Sequence, residues 1–229
     1  MTAQPFEYGM LEGRDVFVFA TGPSLRGIPA GRLDGSCCWG VGELVLWDEM
    51  PRMDFYSFYR VEGYRRYADL VSGDCVKLLY YDDVKYTMGD GPPDGVRHIP
   101  AQIDVTLQDG WVGSVDQLDW VGYSPATSLS AAVQPAMWTR PRNIFLLGFN
   151  FSRTGYIYPG FEDFDRSYSW EPEEFDLNEG SGAMGEFRRS MVGLNILKTQ
   201  CEKLGIGLVN LTEGTGDFVL PKAHLEDVV

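Results

Sequence analysis

The chain has 229 residues, a hydrophobic content of 44% and a formal net charge of −14 at pH 7. This length and apolar content suffice for one large domain with a full hydrophobic core. The acidic excess repels phosphodiester polymers and anionic membrane surfaces, which excludes duplex nucleic acid and such membranes as expected partners. Residues 1–8 lack a basic segment followed by an apolar one, and no apolar run approaches membrane-spanning length. We therefore expect a cytoplasmic protein with no membrane span.

The four cysteines also fit a reducing compartment. Cys37 and Cys38 are adjacent, whereas Cys75 and Cys201 stand alone. No Cys-x-x-Cys spacing occurs and the chain contains only two histidines, so no zinc site is expected. We predict buried, reduced thiols that pack as small hydrophobic side chains.

Along the chain, apolar strand patterns alternate with helical patterns. The predicted strands are Asp15–Ala20, Cys37–Val41, Asp54–Phe58, Val76–Tyr81, Asn143–Leu147 and Gly207–Leu211. The predicted helices are Glu62–Val71, Leu129–Trp138 and Phe187–Leu204. This alternation predicts a single Rossmann-like α/β domain over residues 1–229, with a mostly parallel sheet and helices on both faces.

The first predicted strand breaks abruptly into the run Thr21-Gly22-Pro23-Ser24. Ligands of open α/β sheets bind at the carboxyl ends of the strands, where a glycine-containing loop lets the backbone approach a phosphate closely. An ordinary turn is the alternative interpretation, because Gly and Pro are also the commonest turn residues.

A second segment places small hydroxyl side chains at the start of a predicted helix. Thr127 and Ser128 directly precede Leu129–Trp138. The N–H groups of a first helical turn lack intrahelical partners and the helix dipole favours an anion there, although plain capping by either hydroxyl also explains the pattern. The next strand ends in Gly148-Phe149-Asn150, and we expect all three tips to face one crevice.

Residues 150–185 form a connection far longer than is usual in a compact domain, and we predict a lid. The segment is rich in aromatic and acidic residues, which suits stacking on a sugar ring and hydrogen bonding to its hydroxyls; packing against the domain is the alternative. Asp163-Phe164-Asp165 has the spacing of a metal-binding Asp-x-Asp motif. General surface acidity explains that run, as it explains Asp82-Asp83, and no metal is expected.

Together these motifs resemble those of the bacterial lipooligosaccharide sialyltransferases and their relatives, the motility accessory factors that modify flagellin. The resemblance rests on Gly-Pro-Ser-Leu after the first strand, the Thr-Ser helix start and the strand ending Leu-Gly-Phe-Asn-Phe, and it spans residues 15–220. It implies a metal-independent glycosyltransferase of Rossmann-like fold. Such an enzyme moves a sugar, a sialic-acid-like one being a candidate, from a nucleotide-sugar donor to a hydroxyl of a glycan or protein.

The resemblance also implies roles for individual residues. Donor contacts carried over by motif position fall on Thr21, Gly22, Pro23, Ser24, Thr127 and Ser128, and phosphate contacts fall on the lid tyrosines Tyr156 and Tyr158. No cofactor is implied beyond the nucleotide sugar, which is a co-substrate. Self-association is left open.

The chain departs from the family pattern at three places. Thr21 stands where the family has Asn, and the second strand ends in Val41-Gly42-Glu43 rather than in Asn. The family's catalytic His has no counterpart, because no His occurs between His98 and His224. Glu186 is the nearest titratable group, and we predict it as the catalytic base, with charge complementarity at a helix start as the alternative. The nucleotide base of the donor stays open.

Two other functions remain consistent with these motifs. One is a pterin diphosphokinase, which would use ATP and Mg²⁺ and would need a carboxylate metal site. The other is a catalytically inactive nucleotide-binding accessory protein, which the missing His favours.

Overall fold

The computed structural model describes residues 6–29, 31–58, 61–80, 97–99, 101–102, 122–123, 128–149, 194–195, 197–212 and 219–229. Its strands are β1 (Asp15–Phe19), β2 (Cys37–Val41), β3 (Phe55–Phe58), β4 (Val76–Tyr80), β5 (Arg97–Ile99), β6 (Ala101–Gln102), β7 (Gly122–Tyr123), β8 (Asn143–Leu147) and β9 (Gly207–Asn210). Its α-helices are α1 (Val61–Tyr67), α2 (Ser128–Trp138) and α3, which is helical at 194–195 and 197–203. Short 3₁₀ helices cover Pro23–Gly27, Gly42–Leu46, Ala68–Leu70 and Leu225–Asp227.

Seven of the described strands form one parallel sheet in the order β5-β4-β3-β2-β1-β8-β9. β1 is an interior strand of this sheet and pairs with β2 on one side and β8 on the other. Val16 is in register with Cys37 of β2 and with Ile144 of β8. Strands β2 to β5 are added in chain order on one side of β1. Strands β8 and β9 are then added on its other side. The remaining two strands, β6 and β7, pair with each other in parallel.

Alternate residues of the strands enter two hydrophobic layers, one on each face of the sheet. Val16 and Val18 of β1 belong to the layer that also holds apolar side chains of α2 and α3. Phe17 and Phe19 belong to the opposite layer, with Tyr67 of α1 and residues of the 3₁₀ helices. A parallel sheet must be covered on both faces, and the predicted Rossmann-like arrangement with helices on both faces is confirmed.

The amino ends of β1 and β8 are joined by polar side chains. The Arg142 guanidinium forms an ion pair with Asp15, its Nε donating to Oδ1 at 2.9 Å, and Asn143 Nδ2 donates to the same oxygen at 2.8 Å. The hydrogen bond from Arg142 is the main reason why the pKa of the Asp15 carboxyl lies below its ordinary value.

All four cysteines are buried and free, as predicted. Burial raises the pKa of each thiol to about 12, because the charged thiolate is disfavoured away from water. Within the described ranges, no helix is both long and apolar enough to cross a membrane.

The six predicted strands are confirmed, with ends that agree to within one residue. Three short strands, β5 to β7, were not predicted, because two or three residues cannot show a hydrophobic period. The lid at 150–185 and the first part of the helix predicted at 187–204 lie outside the described residues.

Candidate functional site

The carboxyl ends of β1 and β8 form the topological switch point of the sheet. The two strands are hydrogen-bonded neighbours, yet the chain leaves them toward opposite faces. Leu25, after β1, packs in the layer with α1, whereas Leu194 and Leu197, after β8, pack in the layer with α2. Loops that diverge in this way open a crevice, and open α/β sheets bind their ligands there. We therefore assign the candidate site to this edge.

The loop after β1 (residues 20–24, the first loop) is tied directly to the loop after β8 (residues 148–149, the β8 loop). The Ala20 amide donates to the Leu147 carbonyl at 2.8 Å, and the Gly22 amide donates to the Gly148 carbonyl at 2.9 Å. Pro23 then opens a 3₁₀ helix. The Gly22 N–H, one of the groups expected to face a phosphate, is thus committed to the β8 loop. Gly22 shapes the first loop through this bond.

Gly148 fixes how closely the two loops approach. Its φ is +69°, a left-handed conformation that side-chain-bearing residues rarely adopt. A Cβ atom built on Gly148 would lie 2.8 Å from Leu25 Cγ and 3.0 Å from the Ala20 carbonyl oxygen. Leu25 is fully buried, so its side chain cannot move away to make room for a Cβ atom. The contact therefore requires glycine for reasons of both conformation and space.

A third loop, after β9 (residues 211–212, the β9 loop), holds the β8 loop from the other side. The Phe149 amide donates to Thr212 Oγ1 at 2.8 Å, and the Thr212 amide donates to Asn210 Oδ1 at 2.9 Å. The Leu211 amide also continues the ladder by donating to the Leu146 carbonyl at 2.9 Å. Asn210 and Thr212 are 0% and 4% exposed, so water cannot replace these bonds.

The carboxyl end of β2 is held by a buried tyrosine. The Tyr56 hydroxyl accepts a hydrogen bond from the Val45 amide at 2.8 Å and donates to the Gly42 carbonyl at 3.0 Å. Burial raises the pKa of Tyr56 well above its ordinary value, so the phenol stays protonated and can donate. The ring packs over Gly40, where an added Cβ would lie 2.5 Å from Tyr56 Cε2. Glu43, half-buried, lies in the first turn of the 3₁₀ helix at this tip.

Helix α2 directs its first turn toward the same edge. Its last residues lie at the amino edge of the sheet, where the Gly9 amide donates to the Trp138 carbonyl at 3.2 Å. The helix packs across β1, β2 and β3, and its eleven residues span about 16 Å at 1.5 Å per residue. That length crosses the sheet, so the backbone of Ser128 lies toward the carboxyl edge.

The structure thus places part of the predicted site and leaves the rest outside its described ranges. Thr21, Gly22, Pro23 and Ser24 lie in the first loop, partly buried, and Ser128 is the first residue of α2. The other predicted residues, all outside the described ranges, are Thr127, Tyr156, Tyr158 and Glu186. Among the residues described, no group of three His, Cys, Asp or Glu side chains could hold a metal ion.

Sequence reasoning assigned no role to Asn210, Thr212 or Tyr56. A signal for the first two was present, since an Asn-x-Thr run closes the last strand and short polar side chains there often bond to backbone. The role of Tyr56 could not be predicted, because an aromatic residue within a buried strand is typical of any hydrophobic core.

A cavity of about 270 Å³ opens at the opposite, amino edge of the sheet. Its walls include Arg14, Asp15, Ser36 and the carboxyl-terminal Val228 and Val229. Asp15 is already engaged by Arg142 and Asn143, and parallel sheets bind ligands at the other edge. This cavity therefore does not compete with the switch point as the candidate site.

Comparison with solved structures finds sialyltransferases whose fold resembles that of this chain. The sialyltransferase CstII from Campylobacter jejuni, in complex with the substrate analogue cytidine-5′-monophosphate (CMP), matches with a TM-score of 0.51 and 13% identity over 93% of this chain and 86% of that chain. CstII with a trisaccharide acceptor and CMP matches with a TM-score of 0.54, 14% identity and 93% and 87% coverage. The monofunctional α-2,3-sialyltransferase Cst-I from Campylobacter jejuni matches with a TM-score of 0.55 and 12% identity. The match covers 93% of this chain and 81% of that chain.

The chain therefore has a sialyltransferase-like α/β fold, and the fold expected from its motifs is confirmed. At the level of sequence, neither a protein-family model nor a curated protein matches the chain. At identities this low the likeness establishes the fold, and the chemistry has to be argued from the site.

Proposed function

We propose that this protein is a glycosyltransferase that transfers a sugar from a nucleotide-sugar donor to a hydroxyl of a glycan or protein acceptor. The observation that carries the proposal is the switch point of the sheet between β1 and β8, where the first loop and the β8 loop meet at the carboxyl edge. The structures of CstII, which shares this fold over 93% of the chain, contain CMP, and one of them also contains a trisaccharide acceptor. A cytoplasmic location, where nucleotide sugars are made, fits the same proposal.

In this proposal the first loop and the start of α2 receive the nucleotide. Thr21 and Ser24 supply hydroxyl groups, and the free N–H groups of a helix start near Ser128 favour the negative phosphate. Thr127, Tyr156 and Tyr158 retain the donor-contact roles that the family resemblance implies. Metal independence is part of the proposal, because donor charge can be met by hydroxyls and N–H groups alone.

A binding screen tests the donor class. Thermal unfolding is followed with CMP, UMP, GMP and AMP, with the corresponding diphosphates and with ATP, each in Mg²⁺ and in EDTA. A ligand that binds only the folded state raises the melting temperature by mass action. We expect a nucleotide monophosphate or diphosphate to stabilise the protein equally in Mg²⁺ and EDTA. Stabilisation by ATP that requires Mg²⁺ would instead favour a diphosphokinase.

A matched pair of variants localises the binding. Ser24→Ala removes a hydroxyl from the first loop, and Ser36→Ala removes a hydroxyl of similar partial burial at the opposite edge of the sheet. Loss of one hydrogen bond, worth about 1 kcal/mol, predicts about fivefold weaker binding in Ser24→Ala alone. Equal affinities in the two variants would place the nucleotide elsewhere.

For the chemical step we propose Glu186 as the base that deprotonates the acceptor hydroxyl. Glu186→Gln should then reduce turnover by roughly 10²–10⁴-fold while donor binding is retained. Glu202→Gln, an exposed position on α3, is the control. Near-normal turnover in Glu186→Gln would remove this residue from the mechanism. A wild-type protein that binds nucleotide but transfers no sugar would favour the accessory-protein alternative.

A further inference from the structure

Three loops at the carboxyl edge are connected by one continuous series of hydrogen bonds. It begins at Asn210 Oδ1, which accepts from the Thr212 amide, and continues through Thr212 Oγ1, which accepts from the Phe149 amide. The neighbouring Gly148 carbonyl accepts from the Gly22 amide in the first loop. The β9 loop is thereby linked to the proposed donor-binding loop through three side-chain or backbone contacts.

The middle of this series is shielded from water. Thr212 and Phe149 are 4% and 5% exposed, and Asn210 is fully buried. A buried amide that loses its acceptor cannot turn to solvent, so the loop carrying it must shift or remain without a bond. The Thr212 hydroxyl is the acceptor for Phe149, and a shape-preserving replacement of that hydroxyl by a methyl group would remove it.

A shift of the β8 loop would be passed on to the first loop. The two loops are in contact at Gly148, where not even a Cβ atom fits between Gly148 and Leu25 or the Ala20 carbonyl. They are also hydrogen-bonded through Gly22. Tightly packed contacts transmit displacement, because no empty space is available to absorb it. Small displacements of binding groups reduce affinity and rate strongly.

We infer that Thr212 is a positioning residue that holds the first loop, through Phe149 and Gly148, in the geometry that receives the nucleotide. The inference rests on the proposed function for its ligand and on the described hydrogen bonds for its mechanism. Thr212 itself does not contact the nucleotide. Its hydroxyl holds the amide of Phe149, which lies 63 residues earlier in the chain.

The test compares three variants with the wild type. Thr212→Val keeps the shape and removes the hydroxyl, and Thr212→Ser keeps the hydroxyl. Thr139→Val is the matched control, because Thr139 is equally buried and its hydroxyl also bonds to backbone, at the amino edge. The affinity for CMP is measured by titration calorimetry, at a temperature where each variant is fully folded. We expect about tenfold weaker binding in Thr212→Val, which corresponds to ~1.4 kcal/mol, and less than twofold change in the others.

Amide hydrogen exchange gives a readout that does not depend on a ligand. In Thr212→Val the Gly22 and Phe149 amides should exchange at least tenfold faster than in the wild type, while Thr139→Val leaves both unchanged. Unchanged exchange at Gly22 in Thr212→Val would overturn the inference. So would normal CMP affinity in that variant when the wild type binds. If the wild type does not bind CMP, the proposed donor fails, and the exchange at Gly22 still decides whether Thr212 positions the loop.

Discussion

Replacing Gly148 by alanine would insert a methyl group into the contact between the first loop and the β8 loop. Two independent costs follow. The residue has a φ of +69°, and a side-chain-bearing residue in that region costs about 1–2 kcal/mol. The new Cβ would also lie 2.8 Å from Leu25 Cγ and 3.0 Å from the Ala20 carbonyl oxygen. Overpacking of this kind costs about 1–3 kcal/mol.

Gly205 provides a control that separates the two costs. It follows α3 with a φ of +71°, nearly the same as that of Gly148, but an added Cβ there has no atom within 4 Å. Gly205→Ala should therefore lose only the conformational part, about 1–2 kcal/mol, whereas Gly148→Ala should lose about 2–5 kcal/mol. The difference between the variants measures the steric contact between the loops.

The measurement is urea-induced unfolding of the two variants and the wild type, followed by circular dichroism. Free energies of unfolding come from the midpoints, provided that the dependence on urea is the same in all three proteins. A loss of ~3 kcal/mol corresponds to a fall in melting temperature of about 6–12 °C for a domain of this size. Gly148→Ala should also bind nucleotide weakly, because the first loop is displaced. If Gly148→Ala loses no more stability than Gly205→Ala, the close contact of the loops does not exist.

Three further predictions concern other parts of the structure. Gly40→Ala should lower the free energy of unfolding by at least ~2 kcal/mol, because its Cβ would lie 2.5 Å from the buried Tyr56 ring. Gly73→Ala, with open space around it, is the control, and equal urea midpoints would contradict the contact. The four thiols, with pKa values of about 12, should not react with a thiol reagent at pH 8 until the protein unfolds, and rapid labelling of the native protein would refute their burial. Because thiols ionise at lower pH in the unfolded chain than in the folded one, the free energy of unfolding should fall as the pH rises above 9. Asp15→Asn should lower the free energy of unfolding only slightly at pH 7 by removing the ion pair with Arg142, whose guanidinium is largely solvent-exposed. The lowered pKa of Asp15 makes its contribution present above about pH 4 and lost as the pH falls further, so the variant should show a weaker acid dependence, and an unchanged one would count against the ion pair.

Local sequence predicted the sheet well. A buried parallel strand needs a short, continuous apolar run bounded by turn residues, and runs such as Val16 to Phe19 and Ile144 to Leu147 satisfy that need almost without regard to context. The first run gives way to Ala20-Thr21-Gly22 and the second to Gly148, so their ends could also be predicted to within a residue. The strand Arg97–Ile99 could not, because three residues of mixed polarity acquire their pairing only from β4.

The candidate site was predicted in part. The run from Thr21 to Ser24 and the tip at Gly148 were expected to lie near one crevice, and the structure brings their loops into contact. What those residues do there differs from the expectation at Gly22, whose amide is bonded to Gly148. No local pattern could reveal that bond, since it joins residues far apart in the chain.

The sequence by itself determined the class of the fold, the burial of the thiols and the small residues at the strand tips, because each of these follows from hydrophobic pattern, composition and turn chemistry within a short window. Only the tertiary structure decided which tips are neighbours and which polar groups satisfy one another. Thr212 illustrates the difference, because the partner of its hydroxyl cannot be identified from the sequence. The parallel pairing of β8 with β9 places that hydroxyl beside the Phe149 amide. Strand order and register depend on the whole chain packing at once, and the partners of buried polar groups follow from that packing.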